Sequence, residues 1–168
     1  GAVHAWFSMH EKYGVLDFEQ LFTTAENYAK NGYPIYEVVA KAWEENIEKL
    51  KKYKITNKTF LKSGHAYKYG EKHSNIKLAD TIKSIAKNGK KDFYEGYIAA
   101  DIVNSLVSKG GLHNIDDFAK QETIFSNSIS KKYKNILLHQ CPPNGPGVTV
   151  LMMMGILEKF NFSKINPL

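Results

Sequence analysis

Apolar residues recur every third or fourth position along much of the chain, the spacing of a helix face. From Ala2 to Tyr13 the stripe is Val3, Trp6, Phe7, His10 and Tyr13, and Gly14 is placed to cap the helix. Asp17, with Gln20 three residues on, is a capping-box pattern; it predicts a second helix through Leu21, Phe22, Ala25 and Tyr28 to Lys30. Asn31-Gly32 stops that helix, and Pro34 reinforces the break. The longest predicted helix runs from Tyr36 to Tyr53. Val39, Trp43, Ile47 and Leu50 form its apolar side, and Glu45–Lys49 and Glu48–Lys52 are spaced as i,i+4 ion pairs. From Lys54 to Ser74 the period fails, which predicts an irregular surface excursion. Asn75 then caps a helix through Leu78, Ile82 and Ile85, closed at Asn88-Gly89. Another is predicted from Lys91 to Ser108, ended by Gly110-Gly111. Asn114 caps a short turn holding Ile115 and Phe118, with Asp116-Asp117 well placed for the helix dipole.

The pattern then changes. Thr123–Ile129 and Lys134–Gln140 predict two short strands around Ser130–Tyr133, the second ended by Pro142-Pro143 because proline cannot donate to a ladder. Gly147–Phe160 is apolar on every side and includes Met152-Met153-Met154, which predicts a buried, surrounded helix. The expected fold class is α+β, mostly helical, with a short strand pair at about 123–140 followed by that buried helix. No linker composition divides the chain, so 1–168 reads as a single domain.

Composition changes this picture in three ways. The 168 residues are 43% apolar and 24% charged, which suits a folded domain and excludes disorder. The net charge is +6, but all 23 basic residues are Lys. Without the bidentate Arg fork, a nucleic-acid partner is not expected, and most of the Lys read as solubilising surface. A single Cys excludes an internal disulfide and a Cys-based zinc site. No apolar stretch reaches the roughly 18–20 residues of a membrane span, so none is expected in this segment. No signal segment is visible, and any would lie upstream of Gly1.

Candidate chemistry is sparse. The six His (His4, His10, His65, His73, His113, His139) include no i,i+4 helical pair, so neither a metal nor a cofactor is expected. Cys141 precedes two prolines that lack the N–H an oxyanion hole would use, and it reads as a buried structural residue. Thr23-Thr24 reads as mid-helix, and no carboxylates form an identifiable acid/base couple, so no catalytic residue is assigned. The informative segment runs from Cys141 to Gly147, where a strand ends, the chain turns and a helix begins. Pro146 suits the first helical position, with Asn144 or Gly145 as the cap. Asn144, Gly145 and Gly147 are the candidate substrate-binding residues, since free N–H groups at such a helix start can receive a carboxylate or oxyanion. The residues alone favour the structural reading, in which the glycines permit a tight backbone approach.

Taken in order, these segments resemble the gamma-glutamyltranspeptidase family. Gly1-Ala2-Val3-His4-Ala5-Trp6 is similar to its Pro-Gly-Ala-Val-x-x-Trp/Phe after the Pro, and Glu11-Lys12-Tyr13-Gly14 to its helix-ending His/Asp-x-Phe/Tyr-Gly. Ala29 to Ile35 resembles Ala-x-x-Gly-Phe-Pro-Val, and Leu78 to Gly89 resembles Leu-Ala-x-Thr-Leu-x-x-Ile-Ala-x-x-Gly. Phe93-Tyr94-Glu95-Gly96 with Ile98-Ala99, and Gly110-Gly111-Leu112 with Asp116-Asp117-Phe118, have counterparts in the family as well. Pro142-Pro143-Asn144-Gly145-Pro146-Gly147, with Gly155-Ile156-Leu157-Glu158, looks like Pro-Pro-Asn-Gly-Gln-Gly followed by Asn-Ile-Leu-Glu.

The resemblance implies part of the αββα fold of N-terminal-nucleophile hydrolases. It also implies a precursor that cuts itself to free a nucleophilic Thr, whose α-amine serves as base. The family's catalytic segment, Thr-Thr/Ser-His-x-Ser followed by Gly-Asn/Asp-x-Val, does not occur here. The Arg that grips the substrate carboxylate belongs to a segment upstream of Gly1. The expectation is therefore an interior piece of the large subunit, inactive alone, with apolar surface exposed around the Gly147–Phe160 helix. Its partners would be the small subunit of the same precursor and a gamma-glutamyl or other small amide substrate. Asn144-Gly145 stands where typical transpeptidases have Ser-Ser, and so looks more like the branch holding acylases and oxamate-type amidohydrolases; Pro146 stands where that branch tends to have Gln. The alternatives are an amidohydrolase or acylase acting on another amide and, from a different class, a non-catalytic helical interaction module or degenerate relative.

Overall fold

Two of the α-helices, those that open after Asn75 and after Asn114, carry a side-chain cap that the sequence announces. The computed structural model describes residues 1–162, and the backbone clusters into two units, Gly1–Thr123 and the chain from Ile124 onward. The first unit begins with α1 (Ala2–Tyr13), a 3-10 turn (Glu19–Phe22) and α2 (Thr23–Asn31). It continues through α3 (Glu37–Glu45), α4 (Ile47–Lys51), α5 (Lys54–Phe60), α6 (Ile76–Glu95), α7 (Tyr97–Val107) and α8 (Ile115–Ala119). Two-residue strands β1 (Tyr33–Pro34) and β2 (Lys72–His73) pair antiparallel, Tyr33 opposite His73. The second unit holds β3 (Ile129–Tyr133), β4 (Ile136–Gln140) and α9 (Gly147–Leu157). This is the mostly helical α+β class expected from the sequence.

Several helix ends follow the sequence reading. Asn75 caps α6, its side-chain oxygen accepting the Leu78 N–H at 3.1 Å. Asn114 and Asp117 form a reciprocal capping box, with the Asp117 N–H donating to Asn114 at 3.1 Å and the Asn114 N–H donating to Asp117 at 2.9 Å. Gly89 interrupts α6 at φ 79, a left-handed value that favours glycine, and helical geometry resumes after it. The predicted Lys91–Ser108 helix is consequently the end of α6 plus α7, divided at Gly96.

Other boundaries move. Asp17 accepts the Glu19 N–H at 3.0 Å and starts only the 3-10 turn, so Thr23-Thr24 open α2 instead of lying mid-helix. The predicted Tyr36–Tyr53 helix breaks at Asn46, whose side-chain amide donates to the Ala42 carbonyl at 2.9 Å in competition with the helix ladder. With that break the ion pairs shift: Glu45 faces Lys41 at 4.0 Å and Glu48 faces Lys51 at 3.4 Å. The excursion predicted from Lys54 to Ser74 contains α5, a helix whose β-branched and Asn content hides its period.

The core of the first unit gathers on α6. Val3, Ile85 and Tyr94 are buried together, with Phe7, Phe22, Phe93 and Phe118 packed around them. The His4 N–H donates to the Tyr94 hydroxyl at 3.2 Å, and the His4 ring meets the Thr123 hydroxyl at 2.7 Å, fastening α1 to this cluster.

In the second unit the hairpin is displaced from the sequence reading. The first strand is Ile129–Tyr133, not Thr123–Ile129, and pairs Ile129 with Gln140 through to Tyr133 with Ile136. A two-residue turn at Lys134-Asn135, with Lys134 at φ 52, sets this register. Lys-Asn lacks the usual Gly signal of such turns. The Lys134 N–H also donates to Glu158 at 3.4 Å.

Ile85→Ala is expected to lower unfolding stability by about 2–5 kcal/mol, since a buried core side chain is lost. Asn114→Ala removes one cap and should cost only about 1 kcal/mol. Urea unfolding of the two variants checks both; equal costs would contradict the placement of the core on α6.

Candidate functional site

The turn between β4 and α9 is where a strand end, two prolines and two glycines bring free backbone donors to one place. β4 closes at Gln140, paired with Ile129. Pro142-Pro143 cannot extend the ladder, and the chain turns through Asn144 and Gly145. Helix α9 begins at Gly147, with Pro146 in the N-cap position at φ −76, one residue before the first-turn position expected for it. Pro146 accepts the first intrahelical bond from the Val150 N–H at 3.1 Å. No side chain caps this end. The first-turn N–H groups, which no helix satisfies internally, therefore have no side-chain acceptor at this end.

The two glycines differ in what surrounds them. Gly147 is buried, and a Cβ there would overlap the Cys141 carbonyl oxygen and come within 2.8 Å of the Gln140 Cβ. Only glycine lets the start of α9 lie this close to the end of β4. A Cβ on Gly145 would meet nothing within 4 Å. Gly145 and Asn144 are both exposed, so their identities are not fixed by packing in this chain. The three candidate residues thus share one turn but not one role: Gly147 shapes it, and Asn144 and Gly145 present its open face.

Cys141 is exposed, not the buried structural residue expected. It follows the last paired residue of β4 and sits in the turn, outside the hairpin. Helix α9 is also less buried than expected. Gly147 and Leu151 are its buried residues, while Met152, Met153 and Ile156 are 65%, 52% and 60% exposed. Apolar surface around this helix is one of the two expectations the sequence raised for it.

The His residues are dispersed. The His10 ring bonds the Leu16 carbonyl at 2.7 Å, and the His139 ring meets the Ser128 hydroxyl at 3.2 Å. His73 is buried, a placement that no local sequence signal marks. Among the described residues no three His, Cys, Asp or Glu side chains gather as a metal site, and no helix is long and apolar enough to cross a membrane.

Comparison with known proteins gives this turn a context. The family model for gamma-glutamyltranspeptidase matches residues 1–167. The glutathione hydrolase-like YwrD proenzyme of Bacillus subtilis (strain 168) is 34% identical over 165 residues, covering 98% of this chain and 31% of that protein. Among solved structures, Helicobacter pylori gamma-glutamyltranspeptidase superposes with a TM-score of 0.89 at 26% identity, over 99% of this chain and 48% of that one. The cephalosporin acylase from Bacillus halodurans superposes with a TM-score of 0.87 at 30% identity, over 96% of this chain and 31% of that one. This chain therefore spans about a third of the length of the curated relatives it matches. Its mostly helical α+β architecture is consistent with the N-terminal-nucleophile hydrolase fold of these structural relatives. Matched over residues 1–167 by one family model, the chain belongs to the gamma-glutamyltranspeptidase family.

Proposed function

We propose that this chain is part of the large subunit of an autoprocessing gamma-glutamyl acyltransferase or hydrolase. The observation that carries the reading is the match of the family model over residues 1–167, against coverage of only 31% of a relative that is itself a proenzyme. The nucleophile is a Thr outside this chain, freed as an amino terminus by self-cleavage so that its own α-amine takes the hydroxyl proton. The Thr oxygen attacks the gamma-glutamyl carbonyl and the amine leaves. Water or an acceptor amine then takes the acyl group from the Thr.

In this reading the turn from Cys141 to Gly147 lines the site. The unpaired N–H groups at the start of α9 face a substrate carboxylate or a developing oxyanion, which a helix N-terminus favours through both hydrogen bonding and dipole. Gly147 holds the helix start against β4, and Asn144 and Gly145 meet the ligand. The small subunit of the same precursor covers the apolar side of α9. The 168 residues form one part of that larger domain.

A second reading keeps the chemistry and changes the substrate. Asn144-Gly145, where Ser-Ser is typical of transpeptidases, and the 30% identity to a cephalosporin acylase favour an amidohydrolase or acylase acting on another amide.

Expression of the complete reading frame that encodes this chain tests both. The expected result is a precursor that splits into two subunits, the smaller beginning with Thr, and that hydrolyses a gamma-glutamyl anilide; the 168-residue chain alone is expected to give no turnover. Preference for an oxamate-type or acylated amide over glutathione selects the second reading. A precursor that never cleaves and turns over neither substrate overturns both and leaves a non-catalytic relative.

Two glycine variants of the cleaved protein separate scaffold from site. Gly147→Ala is expected to lower unfolding stability by about 1–3 kcal/mol through overpacking against β4. Gly145→Ala should leave the urea midpoint within about 0.5 kcal/mol of wild type, as an uncrowded surface change does. Its kcat/KM should nevertheless fall by about tenfold or more. Unchanged kcat/KM in Gly145→Ala removes Gly145 from the substrate site.

A further inference from the structure

His73 is buried, 3% exposed. Its ring is enclosed by four aromatic residues from four parts of the first unit. Trp43 of α3 lies 5.1 Å away, Tyr67 of the loop 61–71 lies 5.0 Å away, Tyr33 of β1 lies 5.9 Å away, and Phe60 of α5 stacks at 6.1 Å. The ring nitrogen Nδ1 is buried and has no hydrogen-bond partner. A neutral imidazole tolerates this when Nδ1 is the unprotonated nitrogen. An imidazolium does not, because it would bring a charge and an unanswered N–H donor into an apolar box. Attraction of the cation to ring faces is smaller than the hydration it would forfeit. Burial accordingly pushes the His73 imidazole below its ordinary pKa.

No nearby carboxylate offsets this. Helix α3 carries Glu37, Lys41, Glu44 and Glu45, all exposed, with Lys41 facing Glu45. Helix α5 carries exposed Lys54 and Lys58, and β2 carries exposed Lys72. In the loop, Glu71 accepts from Lys62 at 2.8 Å and from the Lys68 N–H at 2.8 Å, and His65 is exposed. The Lys62 hydrogen bond holds Glu71 below the usual carboxylate range, so Glu71 stays ionised in mild acid. Burial is the only cause acting on His73.

The backbone around the box is thinly tied. Strands β1 and β2 pair over two residues each, and one of them, Pro34, cannot donate. The Ile35 N–H donates to the Glu71 backbone carbonyl at 2.9 Å and the Gly70 N–H to the Ile35 carbonyl at 2.8 Å. The aromatic box brings α3, α5 and the loop together at one point, and Ile35 and Leu61, which flank β1 and α5 in sequence, are buried as well.

We propose that His73 is a proton-operated latch. Neutral, it fills the aromatic box and holds α3–α5 and the loop 61–71 on β1; protonated in mild acid, it leaves the box and that segment opens. The direction follows from linkage. An opened His73 titrates near about 6.5, and a closed one titrates lower. Between the two values only the open state binds the proton. The open population therefore rises up to about tenfold for each pH unit below about 6.5, and levels off below the closed-state value. Above about pH 7 it is constant.

Amide hydrogen exchange of the protein that carries this chain, read by mass spectrometry at pH 7.5, 6.5 and 5.5 and corrected for intrinsic rates, tests the latch. Peptides containing Ile35 and Gly70 should lose protection severalfold between pH 6.5 and 5.5, by at most about fivefold, and by at most about tenfold between pH 7.5 and 5.5, while peptides around Ile85 keep theirs. His73→Phe keeps a ring, cannot titrate, and should remove the pH dependence. Should that variant fail to fold, Cε1 exchange of His73 in the wild type reads its titration directly, with a midpoint below about 6.5 expected. Protection that does not change with pH, the same slope in His73→Phe, or a His73 midpoint at or above 6.5 overturns the proposal.

Discussion

Ile85 and Tyr94 are both buried with Val3 of α1, although nine residues separate them along α6. Nine residues are roughly two and a half helical turns, which in a straight helix would put the two side chains on opposite faces. The bend at Gly89 removes the conflict. At φ 79 it re-aims the last turn of α6, so that Tyr94 returns to the same core. A Cβ at Gly89 would meet only the Phe7 ring at 3.7–3.8 Å, an ordinary contact, so space does not require the glycine. The backbone angle does. The Tyr94 hydroxyl that receives the His4 N–H, the placement of Phe93 and the entry into α7 all depend on that one reversal.

What was legible in the sequence is what local chemistry decides. Asn75, Asn114 with Asp117, and Gly89 each act within about four residues of their own position, so a single sequence window contains cause and effect. Asn46 also acts locally, through the Ala42 carbonyl, but it does so inside an intact apolar stripe, and such a stripe alone predicts an unbroken helix. The aromatic box could not be read at all. Tyr33, Trp43, Phe60, Tyr67 and His73 are ordinary residues in sequence and become a site only when α3, α5 and the loop fold onto β2. The hairpin register failed for a related reason: Lys134 takes a left-handed angle that its residue type does not announce.

The β4–α9 turn shows the limit of residue identity as a guide. Gly145 and Gly147 lie two residues apart in one motif, and nothing in their spacing distinguishes them. The difference lies in what a side chain would strike. At Gly147 it is the backbone of the strand just left, and at Gly145 it is open space. Packing within this chain therefore explains the glycine at 147 and not the one at 145. Cys141 illustrates the same point from the other side. Cysteine is among the most often buried residues, yet here it sits just past the last ladder pair and is exposed.

Helix α9 has no polar face, so hydrophobicity cannot tell it which side to bury. Size can. Gly147, Leu151 and Gly155 recur every four residues and fall on one side of the helix. Gly147 and Leu151 are its buried positions, and a Cβ on Gly155 would come within 2.9 Å of the Lys131 Cε on β3. Two small residues around one large one let the helix approach the hairpin along this ridge, with the Lys131 stem lying across the second gap. Packing has thus chosen the face with the least bulk and left Met152, Met153 and Ile156 outward. An isolated helix–hairpin unit gains nothing by exposing such side chains. Under the proposed reading of the chain as part of a longer precursor, those same side chains are the surface available for a second subunit to bury.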